Sequence, residues 1–274
     1  MSGGSIILDQ YADRLKRKRR SVYSIRNFDA VARQFERWLQ GQGLTAETCG
    51  FEDIEDYIDG LVLSPNSKGQ HLRWIQAAYN YAIRRGTIRH NPALDVDVPA
   101  EPDTEPRIIA PRELRAIKAE VWRDKDWMLF HLLAYTGMRR KEIAELRWEA
   151  VSIPDETIRV IGKGGKLRLV PIHPALGELF VAGGDTEYVL SSRGKNGTEL
   201  GWLNQMARRL HPVYTPHDYR RTVATNLRRN GVDTGVIDRI MGWAPRSIFR
   251  RYYDNVADHE LKRAILRLYA DDPL

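Results

Sequence analysis

Through the first ninety residues, apolar positions recur at helical spacing. Tyr23, Phe28, Val31, Phe35, Trp38 and Leu39 mark one face of a helix that ends at the glycine-rich residues 40–43. Residues 5–14 predict a shorter helix before it. Thr45 is placed to cap a turn, and Phe51, Ile54, Tyr57, Ile58 and Leu61 then trace another helical face. Ser64-Pro65-Asn66-Ser67 breaks the pattern. Leu72, Ile75, Ala78, Tyr79 and Ala82 resume it, with Lys68, His71, Arg73 and Arg84 expected on the surface, until Gly86 and Asn91-Pro92 close it. Trp74, Tyr79 and Tyr81 read as core aromatics rather than platforms for bases.

The period disappears over residues 95–111, where Pro99, Pro102, Pro106 and Pro111 stand among acidic side chains. The expected organisation is a helical domain over residues 1–98, a linker over 99–110 and a second domain over 111–274. That second domain opens with proline in a first helical turn. Residues 127–134, WMLFHLLA, are apolar around the whole circumference and predict a buried helix, which Gly137 ends by permitting a left-handed cap. A helix is expected over 138–148, and strands over 158–161 and 167–172 with a glycine-rich hairpin between them. A third short strand is expected at 188–191, with helices again from residue 200. The fold class is therefore mainly α with a small antiparallel β-sheet.

Charge narrows the function. Lysine and arginine total 43 against 36 acidic residues, a net +7 with a sequence pI of about 9.5, which favours a polyanionic partner. Residues 16–20, KRKRR, form either a solvated face or a strip along a DNA backbone. Cys49 is the only cysteine, which excludes an internal disulfide and a cysteine-rich zinc finger. No apolar run approaches the roughly 18 residues that span a bilayer, and the start has no signal-peptide pattern, so a cytoplasmic protein is expected.

Four pieces of the second domain carry chemistry. Arg139 follows a glycine helix cap, Lys163 sits in the glycine-rich hairpin, and His217 with Arg220 shares one face of a helix that Thr215 and Pro216 begin. Tyr252 and Tyr253 follow Arg246, Arg250 and Arg251. Each has an ordinary structural explanation alone: surface charge, hairpin solubility, a capping histidine, packed tyrosines. Together, in this order, they describe cations gathered around a phosphate beside a phenol.

Those residues carry a resemblance. TGMRRKEIAELRW (136–148) resembles the first arginine motif of the tyrosine recombinases, the phage integrase and Xer-like group. IGKGGKLRLVPI (161–172) is similar to their hairpin lysine motif, HDYRRTVATNL (217–227) to their His-x-x-Arg motif, and MGWAPRSIFRRYY (241–253) to their tyrosine segment. The likeness covers residues 111–256 with every motif in order. Over residues 1–98 it is one of style, that of a small helical core-binding domain that clasps DNA.

By this resemblance Arg139 and Arg220 would be the catalytic arginines, Lys163 the hairpin lysine and His217 the third-motif histidine. Glu142 and Asp218 would buttress them. Trp243 stands where many members carry histidine; an indole donates a hydrogen bond but exchanges no proton, so it implies positioning. A nine-residue step from Trp243 selects Tyr252 as nucleophile, with Tyr253 the alternative if the loop is one residue longer. The resemblance implies a site-specific recombinase that forms a 3′-phosphotyrosine, needs no metal, nucleotide or other cofactor, and works on double-stranded DNA as a tetramer. Directionality would come from an accessory partner or the DNA site. Residues 257–274 predict an amphipathic helix, expected to dock on a neighbouring protomer, with its own domain as the other possible seat. A type IB topoisomerase and a non-catalytic DNA-binding protein of the same fold are the alternatives.

Overall fold

The structure, a computed structural model, describes residues 5–98, 100, 105–162, 165–184, 186–190, 199–243, 256–270 and 273–274. Two compact units divide it, Met1–Thr104 and Glu105–Leu274. The first is helical: α1 (Ile6–Arg17), α2 (Val22–Gly41), α3 (Phe51–Asp59) and α4 (Pro65–Arg85). Serines set three of the four starts, with Ser5, Ser21 and Ser64 each accepting a backbone N–H of the following turn. Ser64-Pro65, a break in the sequence pattern, is thus the cap and first turn of α4. Gly86 ends that helix at φ 74°.

Around α4 the buried faces of α1, α2 and α3 meet, with Phe28, Phe35, Ile54, Tyr57, Ile75 and Tyr79 at the centre. Trp74 joins Tyr11 and Phe28 edge to face. Tyr81 lies beneath the Arg14 guanidinium and accepts from Arg17, at a distance of 4.6 Å for the first and 3.3 Å for the second. His71 is half-buried and bonded to Tyr57 Oη. The buried Cys49 Sγ lies 2.8 Å from Tyr79 Oη. Residues 16–20 are exposed.

The second unit is built around α6 (Asp124–Thr136), whose residues from Leu129 to Thr136 are all buried. A helix apolar all round must be enclosed. It is enclosed by α5 (Pro111–Glu120), α8 (Pro174–Val181), α9 (Glu199–Leu210) and α10 (Pro216–Arg229). Residues 105–110 are held to this unit: Ile109 is buried and donates its N–H to Thr222 Oγ1, and Arg107 donates to the Val213 carbonyl. A three-stranded antiparallel sheet, β1 (Val151–Ser152), β2 (Thr157–Ile161) and β3 (Leu167–Pro171), pairs in chain order. Ile161 faces Leu167 where the hairpin begins to turn. Then come α11 (Thr234–Met241) and α12 (Asp258–Leu266). Among the described residues, no helix is long and apolar enough to cross a membrane.

Three expectations change. The helix expected over 138–148 is only α7 (Arg140–Ala144), because residues 146–148 bond instead to 187–189. Residues 188–190 form no strand; a lone bridge joins Arg147 and Tyr188. The C-terminal helix α12 buries Leu261 and Ile265, with Leu268 and Tyr269 beyond it, in its own unit rather than leaving that face for a neighbour.

Candidate active site

Arg139 reaches the site because α6 stops where it does. Gly137 adopts φ 61°, and a Cβ there would stand 2.6 Å from Met241 Cε, so glycine lets α6 end against α11 without strain in the backbone or a shift of the methionine. Two residues on, Arg139 is the N-cap of α7, with its N–H bonded to Glu142 Oε2 at 2.6 Å. Its side chain donates to Glu142 Oε1 at 2.9 Å and to the Gly242 carbonyl at 2.9 Å, and stays half-buried.

His217 and Arg220 enter through a helix start whose chemistry is local. Thr215 Oγ1 accepts the Asp218 N–H, and the Asp218 carboxylate accepts both the Thr215 N–H (2.8 Å) and hydroxyl (2.7 Å). Pro216 occupies the first turn. Asp218 therefore buttresses the start of α10 rather than the imidazole itself. His217 is exposed, whereas Arg220, one turn on, is 3% exposed and donates to the carbonyls of Gly137 and Met241. Its guanidinium carbon lies 5.7 Å from the centre of the Trp243 ring, and that ring is 44% exposed.

These four residues line one open cleft of about 750 Å³. Arg140, Lys141 and Arg208 line it too, and among the described residues no carboxylate does. The protonation states match an anion site. Burial, then the charge of Arg139, pull the Arg220 guanidinium down to about 10, which leaves it charged at neutral pH. Partial desolvation of the ring within the cleft, then Arg221 and Arg220, lower the His217 imidazole against the opposing charge of Asp218, which leaves it neutral at pH 7 and free to take a proton. Burial pushes the Glu142 carboxyl up, but hydrogen bonds from Arg168 and Arg139 outweigh it and hold the group at about 2.

Arg168 is the participant that the sequence reading did not single out. It is 7% exposed, on β3, and forks onto both Glu142 oxygens at 2.8 and 2.7 Å. Alternation along β3 puts Arg168 on the same inward face as Val170, but the apolar Leu167 and Leu169 on the other face mask that in the sequence. Lys163, Tyr252 and Tyr253 lie outside the described residues. Among the described residues no group of three or more His, Cys, Asp or Glu side chains could hold a metal ion.

Residues 110–259 match the phage integrase family, and residues 7–96 match the phage integrase SAM-like domain. The chain is 27% identical over 246 residues to tyrosine recombinase XerD of Pseudomonas aeruginosa, covering 80% of this chain and 82% of that protein. Among solved structures it resembles a lambda integrase dimer bound to a COC′ core site, with a TM-score of 0.70, 19% identity, and 91% of this chain and 76% of that one covered. A lambda integrase tetramer bound to a Holliday junction gives a TM-score of 0.70 at 18% identity, with 92% and 79% covered.

Proposed function

The chain belongs to the phage integrase family, and from that premise we propose that it is a site-specific DNA recombinase acting through a 3′-phosphotyrosine intermediate. The observation that carries this reading is the meeting of Arg139, His217, Arg220 and Trp243 in one cation-lined cleft.

The chemistry follows from the groups present. A bound phosphodiester would gather negative charge on its non-bridging oxygens as it is attacked, and two fixed guanidiniums stabilise that charge. Each Arg220 bond to a carbonyl uses one of the two protons on its nitrogen, so further donors remain for phosphate. The Tyr252 phenol attacks phosphorus and passes its proton to neutral His217. Lys163 protonates the departing 5′ oxygen. The products are a 3′-phosphotyrosine and a free 5′ hydroxyl, and the reverse attack by a 5′ hydroxyl rejoins a strand. The Trp243 indole, set against Arg220, positions without exchanging a proton. Since the tyrosyl ester conserves the bond, no step draws on a nucleotide, and no residue role here requires a metal.

The helical unit would clasp duplex DNA with its exposed basic residues 16–20. Likeness to the lambda integrase tetramer supports four protomers on two duplexes, with directionality set by the site or an accessory protein in the cytoplasm. The relatives give no support to the topoisomerase or the non-catalytic alternative.

Trapping on a nicked suicide duplex, resolved on a denaturing gel, tests the reading. The wild type forms a covalent adduct; Tyr252→Phe forms none, and Tyr253→Phe retains it. Loss only in Tyr253→Phe moves the nucleophile by one residue. An absence of adduct on DNA that the wild type binds rejects the recombinase assignment.

A further inference from the structure

Three consecutive carbonyls at the C-terminal end of α11 are each held by an arginine from a different element. Arg168 Nε on β3 donates to Ile240 O at 3.0 Å, Arg220 on α10 to Met241 O, and Arg139 at the start of α7 to Gly242 O at 2.9 Å. The last carbonyls of a helix lack intrahelical partners and carry its negative end, so they are natural seats for guanidiniums. Gly242 turns away at φ 62°, and a Cβ there would lie 2.8 Å from Arg168 Cδ, so the glycine is what admits Arg168. The same Arg168 forks onto Glu142, whose carboxylate also receives the backbone N–H and the side chain of Arg139. Arg139 is thus fixed at two points, and Arg168 shares both supports: Glu142 and the end of α11.

We propose that Arg168 is a positioning residue for strand cleavage, setting Arg139 through Glu142 and the α11 terminus while taking no part in DNA contact. It does not line the cleft. Without it, Glu142 keeps Arg139 as its only guanidinium partner among these bonds, and the buried carboxylate draws that side chain inward, off the phosphate. The inference rests on the recombinase reading above.

The experiment compares a phosphodiester with a methylphosphonate at the scissile position of the suicide duplex. The methylphosphonate is neutral, so its cleavage depends far less on a correctly placed guanidinium. Single-turnover adduct formation is measured at saturating DNA for wild type, Arg168→Met and Arg168→Lys. A misplacement of about 1 Å can cost roughly 100-fold. Arg168→Met is expected to lose about that on the phosphodiester and less than about tenfold on the methylphosphonate, with DNA affinity unchanged. Arg168→Lys, which keeps charge but loses the fork, should fall between. For each protein the ratio of the two rates is independent of the folded fraction, so a poorly folding variant still reports. Equal losses on both substrates would make Arg168 merely structural, and no loss would also sink the proposal. No adduct from the wild type on either substrate would remove the recombinase reading, and this inference with it.

Discussion

Gly137 shows how much one position decides. Its left-handed φ lets α6 end, its missing Cβ admits Met241, and its carbonyl accepts from Arg220. Gly137→Ala is expected to cost about 1–3 kcal/mol of stability, read by denaturant unfolding, because alanine meets both the strained φ and the methionine. Adduct formation should fall with it, since Arg220 loses its seat. The sequence made this glycine legible: it closes an apolar run and precedes an arginine. Arg168 was less so, because one basic residue in LRLVP looks like a solvated strand position until its face is known. Only partners brought from other elements, Glu142 and the Ile240 carbonyl, explain why the charge is buried.

At the scale of elements, local codes were readable and long-range ones were not. The start of α10 is written in four residues, Thr215 to Asp218, and the structure has the reciprocal bonds that such a code specifies. Thr215→Ala should destabilise the protein by about 1 kcal/mol in thermal unfolding, and lower the cleavage rate at saturating DNA by loosening His217. By contrast, α7 stops after five residues although the helical pattern runs on to Trp148. There the backbone of Leu146 and Trp148 bonds to Val189 and Glu187, forty residues on, and that pairing outweighs propensity. The C-terminal helix is a similar case. Its apolar stripe was plain, but whether the stripe met its own unit or a neighbour depended on the surface left open by β3 and α11.

For the whole molecule, acid should act in two steps. Burial, then the charge of His131, lower His173 from 6.5 to about 4, and burial likewise lowers His131. The unfolded chain binds these protons more readily, so stability present above pH 6.5 declines as pH falls toward 4. Glu142 follows: held at about 2 against 4.5, it contributes stability above 4.5 that is lost as pH falls through 2. Melting temperature measured from pH 7 to 2 should therefore fall in both windows, and Glu142→Gln should shrink the second, to which Glu47 and Glu113, also lowered, still contribute. Cys49 has a practical consequence of another kind. The chain's only thiol is buried against Tyr79, and burial raises its pKa, so thiolate is scarce at neutral pH. The native protein is thus nearly silent toward maleimide dyes. One cysteine introduced on the exposed surface of each unit would carry a donor–acceptor pair without background, and fluorescence transfer could compare the distance between the units with and without a duplex.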